Sequence, residues 1–183
     1  MFTTRLLQTD DWPVVERLFG SNGACGGCWC MYWRLAPKEY TAAKGEGNRA
    51  SFEELVRSGQ ARGVLAFEGD DAVGWCAAGP REDFGRIVRH RTLGREARVG
   101  TWSVNCFYVP RAHRGRGVAK ALLDAAVRFA EAGGASELEG YPVTPKDGKM
   151  PAAFAYTGVD GMFEGAGFAR LPREGRAVWV RTL

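Results

Sequence analysis

Arg111, His113, Arg114, Arg116 and Lys120 crowd into one short stretch together with Gly115 and Gly117. Glycine admits left-handed backbone and lets a main chain come close to a ligand. A turn of this kind that opens into a helix offers the unbonded N–H groups of the first helical turn, and the helix dipole adds positive potential there. Guanidinium groups add full charge and match phosphate oxygens two at a time. The chemistry such a stretch suits is the grip of a phosphorylated cofactor.

The flanking elements must place that turn. The apolar run Val104-Asn105-Cys106-Phe107-Tyr108-Val109, stopped by Pro110, predicts a central strand over Thr101–Val109. Gly117–Ala132 predicts an amphipathic helix. Val118, Leu122, Ala125, Ala126 and Phe129 form its apolar stripe, and Lys120, Asp124, Arg128 and Glu131 face water. Two other phosphate-binding patterns fail here. No G-x-x-x-x-G-K-[ST] is present, and Lys120 stands where a dinucleotide fingerprint needs its third glycine.

The rest of the chain reads as a mixed fold. Phe2–Gln8 predicts a strand, and a helix capped by Thr9 or Asp10 runs to Phe19. Gly20–Gly27 is a glycine-rich loop and Pro37–Gly47 is polar and irregular. Asn48–Arg57 predicts a helix capped by Asn48. Gly63–Glu68 and Ala72–Gly79 flank a tight turn and predict a hairpin. After the arginine-rich connection Pro80–Arg98 and the central strand and helix come a strand over Ser136–Val143 and a short helix over Thr157–Ala166. A final strand pair is expected at Phe168–Leu171 and Ala177–Leu183. The order predicts an α+β fold with one crossover helix, in a single domain over residues 1–183.

Composition narrows the partners. With 45% apolar and 25% charged residues, the chain reads as an ordinary globular domain rather than a disordered or membrane-spanning one. A net charge of +4, spread without interleaved aromatics, gives no footprint for nucleic acid. The start of the chain carries no apolar signal region, so a cytoplasmic location is expected, with no membrane partner. Five cysteines in that compartment read as free thiols. Cys25, Cys28 and Cys30 are one ligand short of a closed zinc site, and no metal is expected.

Arg114-Gly115-Arg116-Gly117-Val118-Ala119, between strand and helix, resembles the (Q/R)-x-x-G-x-(G/A) pyrophosphate loop of the GCN5-related N-acetyltransferase (GNAT) superfamily. Met162-Phe163-Glu164-Gly165-Ala166-Gly167-Phe168 resembles its closing L-Y-x-x-x-G-F segment. The resemblance implies a splayed mixed sheet of about six to seven strands flanked by helices. It also implies acetyl-CoA as co-substrate and a small-molecule or peptide amine as acceptor. Backbone N–H groups of Gly115, Arg116, Gly117, Val118 and Ala119 would hold the pyrophosphate, with Arg114, Arg116 or Lys120 adding charge. The pantetheine arm would lie along the strand through Phe107, Tyr108 and Val109, where the N–H of Phe107 or Tyr108 would polarise the thioester carbonyl.

The family's usual acid is a tyrosine in the closing segment, where this chain has Phe163. Tyr156 is the nearest substitute, ahead of Tyr141 and Tyr108. Glu139 is the expected base, with Glu82 and Asp83 as alternatives. Cys106 admits a covalent route but reads better as a small buried residue, which favours direct attack in a ternary complex. The segment after the first strand would cover the acceptor side, so Trp29 and Tyr32 are the expected substrate contacts and Trp33 a packing residue. The alternative function is a CoA-binding sensor or an inactive acyltransferase-like module. The surplus of aromatics leaves room for a homodimer.

Overall fold

The computed structural model describes residues 2–145 and 155–183. Alternating apolar residues build its centre. Strands β2 (Gly63–Glu68) and β3 (Asp71–Pro80) form the expected hairpin, with Gly69 at φ +62° in the turn. Val64 and Cys76 point to one face of the sheet, Leu65 and Trp75 to the other. With β1 (Thr3–Leu6), β4 (Thr101–Tyr108), β5 (Glu137–Gly140), β6 (Ala169–Arg170) and β7 (Trp179–Thr182), they give a seven-stranded sheet in the order β1-β2-β3-β4-β5-β7-β6. Only β4 and β5 are parallel, joined by the crossover helix α5 (Val118–Ala132).

Helix α5 covers one face, burying Val118, Leu122, Leu123 and Ala126 against Val64, Ala66 and Val104. Gly74 on β3 permits this approach: a methyl there would sit 2.7 Å from Val118 Cγ1. The opposite face carries α1 (Trp12–Phe19), α2 (Pro37–Ala42) and α3 (Glu46–Arg57). Its core is aromatic, with Phe19 and Phe52 stacked 5.9 Å apart and Trp75 edge-on to both. A one-turn helix, α4 (Gly85–Val88), lies in the arginine-rich connection, and α6 (Asp160–Glu164) precedes β6.

Several boundaries differ from expectation. Pro37–Ala42 is helical, started by its proline and by Glu39 bonding back to the Ala36 N–H. Asn48 sits buried inside α3 instead of capping it, and its side-chain amide donates to the Gly27 carbonyl. Asp11 flanks α1, but its carboxylate bonds to Arg5 and to the Gln8 N–H. Strand β5 ends at Gly140, and Val143 makes only an isolated bridge to Val159. Among the described residues no helix is long and apolar enough to cross a membrane.

Two irregularities of β4 create the site. Cys106 opposes Ala77 and Val104 opposes Ala78, so Asn105 is an extra residue, a bulge. In addition, β4 pairs with β5 only from Thr101 to Val104. Beyond Val104 the two strands part, and the β4 edge from Asn105 to Tyr108 faces a gap.

Candidate active site

At that edge the Phe107 N–H donates to the Tyr156 carbonyl at 2.6 Å. Alternation along the strand turns the neighbouring Tyr108 N–H toward β3, with which Tyr108 pairs. Of the two expected carbonyl-polarising donors, only Phe107 therefore lies on the gap side.

Past Pro110, one 3-10 turn (Arg111–His113) leads into the glycine turn. Gly115 and Gly117 take the left-handed φ values +71° and +88°. No side chain caps α5, and the N–H groups from Gly115 to Lys120 find no acceptor among the described residues. A methyl on either glycine would meet nothing within 4 Å, so both look onto open space. Val118 is buried and fixes the helix start on the sheet, while Ala119 is partly exposed beside it. Unbonded amides, helix dipole and open faces are what a pyrophosphate needs, and the expected cradle fits one.

The basic side chains around it are partly committed. Arg114 donates from Nε to the Val109 carbonyl at 2.8 Å, tying the turn to the end of the strand. Arg116 leans away onto Glu68 of β2, pairing through both terminal nitrogens, and lies over the Phe2 ring. Lys120 pairs with Asp124 one helical turn on. Charge near the cradle thus comes chiefly from the free ends of Arg114 and from Arg111, which forms no salt bridge among the described residues.

Tyr156 stands at the gap through its carbonyl, and its ring joins an aromatic wall. It stacks on Trp33 at 6.3 Å and meets Tyr32 edge-on at 6.0 Å. Burial pushes its hydroxyl up to about 12, Tyr32 adds to that, and Arg176 pulls the other way. The group therefore stays protonated through the neutral range, as an acid must. Phe163, in the closing segment, is fully buried between Phe107 and Phe168. Its ring lies against the bare Gly140, where any Cβ would overlap it.

Glu139 does not face the gap as a base. It is completely buried, and its Oε1 accepts from Arg81 Nε and from the Tyr141 hydroxyl, each at 2.5 Å. Its Oε2 accepts from Arg95 Nε at 2.8 Å. A carboxylate on the inner face of a sheet has to find such partners, because an unpaired buried charge is very costly. Ser103 and Asn105 continue this network from Tyr141 toward the bulge. Among the alternatives, Asp83 pairs with Arg62 at 2.7 Å and Glu82 is exposed. Tyr141, spent on Glu139, is no free acid.

Trp29 is also corrected. It is buried at φ +45° against Trp12 and Phe19, with its ring over Gly23, and belongs to the α1–α3 core. Tyr32 is half-buried on the wall, with the Arg86 guanidinium 3.9 Å from its ring centroid. Trp33, expected to pack, is buried and does so at the centre of the wall. It touches Tyr32 (4.8 Å), Tyr156 and His90 (6.1 Å), with Arg176 at 5.4 Å from its ring. Arg86, His90 and Arg176 escaped the sequence reading because no spacing links positions so far apart.

The thiols on this face are mutually engaged. Trp75 donates from Nε1 to Cys30 Sγ at 3.2 Å. Hydrogen bonding with Cys30, together with burial, raises the Cys106 thiol well above its ordinary range, which disfavours the thiolate that a covalent route would need. Cys25 is exposed and Cys28 partly buried.

Comparison with known proteins agrees with this geometry. A coenzyme A complex of the PaiA N-acetyltransferase of Thermoplasma acidophilum matches all of this chain and 99% of its own at 14% identity and a TM-score of 0.54. An acetyl-CoA complex of a GNAT family acetyltransferase of Brucella melitensis matches all of this chain and 88% of its own, at 13% identity and 0.53. A GCN5-related N-acetyltransferase of Kribbella flavida matches all of this chain and 98% of its own, at 19% identity and 0.54. At such identities these likenesses speak for the fold. A search among curated proteins finds no match. The family model for the acetyltransferase (GNAT) family matches residues 29–147, which spans α2 to the cradle and β5 and amounts to well over half of the chain; the protein belongs to that family.

Proposed function

We propose that the protein moves an acetyl group from acetyl-CoA to a primary amine by direct attack, with both reactants bound at once. One observation carries this reading: the unfilled N–H cradle from Gly115 to Lys120 lies at the end of a strand that parts from β5 beyond Val104, where only the Tyr156 carbonyl meets the Phe107 N–H among the described backbone groups. Bound acetyl-CoA would supply a thioester whose carbonyl carbon takes the amine nitrogen as its C–S bond breaks.

The chain's own groups do the rest. The cradle amides hold the pyrophosphate and so fix the reach of the arm along β4. The Phe107 N–H faces the place of the carbonyl oxygen, once its bond to Tyr156 yields. Tyr156 gives its proton to the departing thiolate. An alkyl ammonium has a pKa of about 10 and must lose a proton before attack. With Glu139 committed to two arginines, that proton passes to water in the open gap.

A thiol-release assay with acetyl-CoA and a broad amine panel tests the reading, beside a calorimetric titration with CoA. Release that depends on an amine supports it. A second reading, a CoA-binding sensor, draws on Phe163, which puts a buried phenyl ring where the family's acid usually stands. Tight CoA binding without turnover on any amine would favour it.

A further inference from the structure

Among the described residues, the aromatic wall beside the gap carries charge of one sign. Arg86 lies 3.9 Å over Tyr32 and also donates to the Tyr32 carbonyl at 3.4 Å. Arg176 lies 5.4 Å over Trp33 and donates to Thr157 Oγ1 at 3.2 Å. Both are partly buried, yet neither pairs with a carboxylate among the described residues. By contrast the neighbouring arginines Arg62, Arg81 and Arg95 all have carboxylate partners.

Trp33, under Arg176 and beside the Tyr32 ring that Arg86 covers, is only 3% exposed, and its indole N–H has no acceptor among the described residues. A buried donor left unpaired costs about 1–3 kcal/mol. Native folds rarely accept that without a ligand or water to answer it. The surroundings agree: burial first, then Arg176, Arg86 and Arg91, hold the pKa of His90 on the same wall below its usual value. A polyamine or an aminosugar would bring further positive charge into this field and be repelled. A negative group on this wall would answer the unpaired positive charge that both arginines bring to it, and a guanidinium suits a two-oxygen anion best.

We propose that the acceptor is an amine that also carries an oxyanion, a carboxylate or its phosphorus analogue, bound on the wall by Arg86, Arg176 and the Trp33 N–H. The proposal rests on the acetyl-transfer reading above and names its acceptor class.

The test compares acceptors that share an amine but differ in charge: α-amino acids, their amides, and aminoalkyl phosphonates, with spermidine as the polycation. In thiol release at saturating acetyl-CoA, kcat/KM for the best acid should exceed that for its amide by about tenfold to a hundredfold. The acid and phosphonate arms show which oxyanion fits. Arg86→Gln and Arg176→Lys should narrow the acid-to-amide ratio toward one, with unchanged affinity for CoA as the check on folding. Amides or spermidine turned over as well as the acids would overturn the proposal, as would an unaltered ratio in both variants.

If no amine is acetylated, the acetyl-transfer reading falls, and binding decides the charge question separately. N-acetyl amino acids should then still quench tryptophan fluorescence, with an affinity at least about tenfold weaker in Arg86→Gln. Absence of any such binding would overturn the oxyanion site as well.

Discussion

The main-chain N–H of Phe107 and the carbonyl of Tyr156 lie 2.6 Å apart, so the loop that carries the proposed acid is clipped to the strand edge proposed to carry the thioester. Before acetyl-CoA takes that N–H, this bond places the Tyr156 ring without using its hydroxyl, and the stack on Trp33 holds the ring once the bond yields. Tyr156→Phe should therefore keep the clip, the stack on Trp33 and the melting temperature. It should lower kcat by about 10²–10⁴ with little change in KM for acetyl-CoA. Steady-state kinetics decide the matter: an unchanged kcat would make Tyr156 a packing residue and leave the thiolate to depart unaided.

The cradle predicts a contrast between glycines. Gly20 and Gly117 both have left-handed φ, +62° and +88°, with open space around an added Cβ. A side chain costs about 1–2 kcal/mol in backbone conformation at Gly117, and about 1–3 kcal/mol at Gly20, whose ψ of −171° lies in a region that almost only glycine populates. Only at Gly117 would that side chain stand where the pyrophosphate belongs. Gly117→Val should raise the Kd for CoA by at least about tenfold, and Gly20→Ala should leave it alone. Calorimetric titration beside thermal melts separates the two effects.

Removing Glu139 leaves Arg81 and Arg95 buried or half-buried without their shared partner. Glu139→Ala should destabilise the fold by about 3–5 kcal/mol, read from urea unfolding. Glu139→Gln should be milder and, where folded, keep kcat within a few-fold. A folded Gln variant without turnover would restore Glu139 as the base.

Acid should weaken the fold in two stages. Burial first, then nearby arginines, depress the pKa of His90 below 6.5, so the unfolded chain takes up that proton before the native one does. Stability therefore begins to fall as the pH drops below 6.5. Burial alone would raise Glu137, but its bonds from Arg95 and Thr101 outweigh this and hold it below 4.5. Asp11 is likewise held below 3.8, chiefly by Arg5. Their contribution is whole above those ordinary values and disappears as pH falls through the lowered ones. Melting curves from pH 8 to pH 3 should show a shallow decline and then a steep one, and His90→Gln should remove the shallow part.

Local patterns were legible where one segment decides its own fate. The hairpin at Gly63–Glu68, helix α5 and the glycine turn follow from alternation, helical periodicity and left-handed glycines, all short-range properties. The backbone of the proposed cradle was legible for the same reason. The acceptor half was not. Trp29 and Trp33 look alike in a stretch dense with aromatics, and only tertiary packing sets one against Trp12 and Phe19 and the other against Tyr32 and Tyr156. Glu139 alternates with Leu138 as a solvent-facing residue would, yet its face of the sheet is covered. Arg86 and Arg176 reach the same wall from positions ninety residues apart, and no periodicity records that.

The extra residue at Asn105 acts as a change of phase within β4. Val104 and Phe107 share the side under α5, three positions apart, whereas an unbroken strand would have given that side to Cys106. Straighten the bulge with Asn105 kept in the ladder, and the parity of everything downstream inverts: the phenyl ring of Phe107 would turn into the thiol cluster, and its amide would point at β3. One residue of slack, whose side chain bonds only to Ser103 among the described residues, thus decides which amide is turned toward the parted strands.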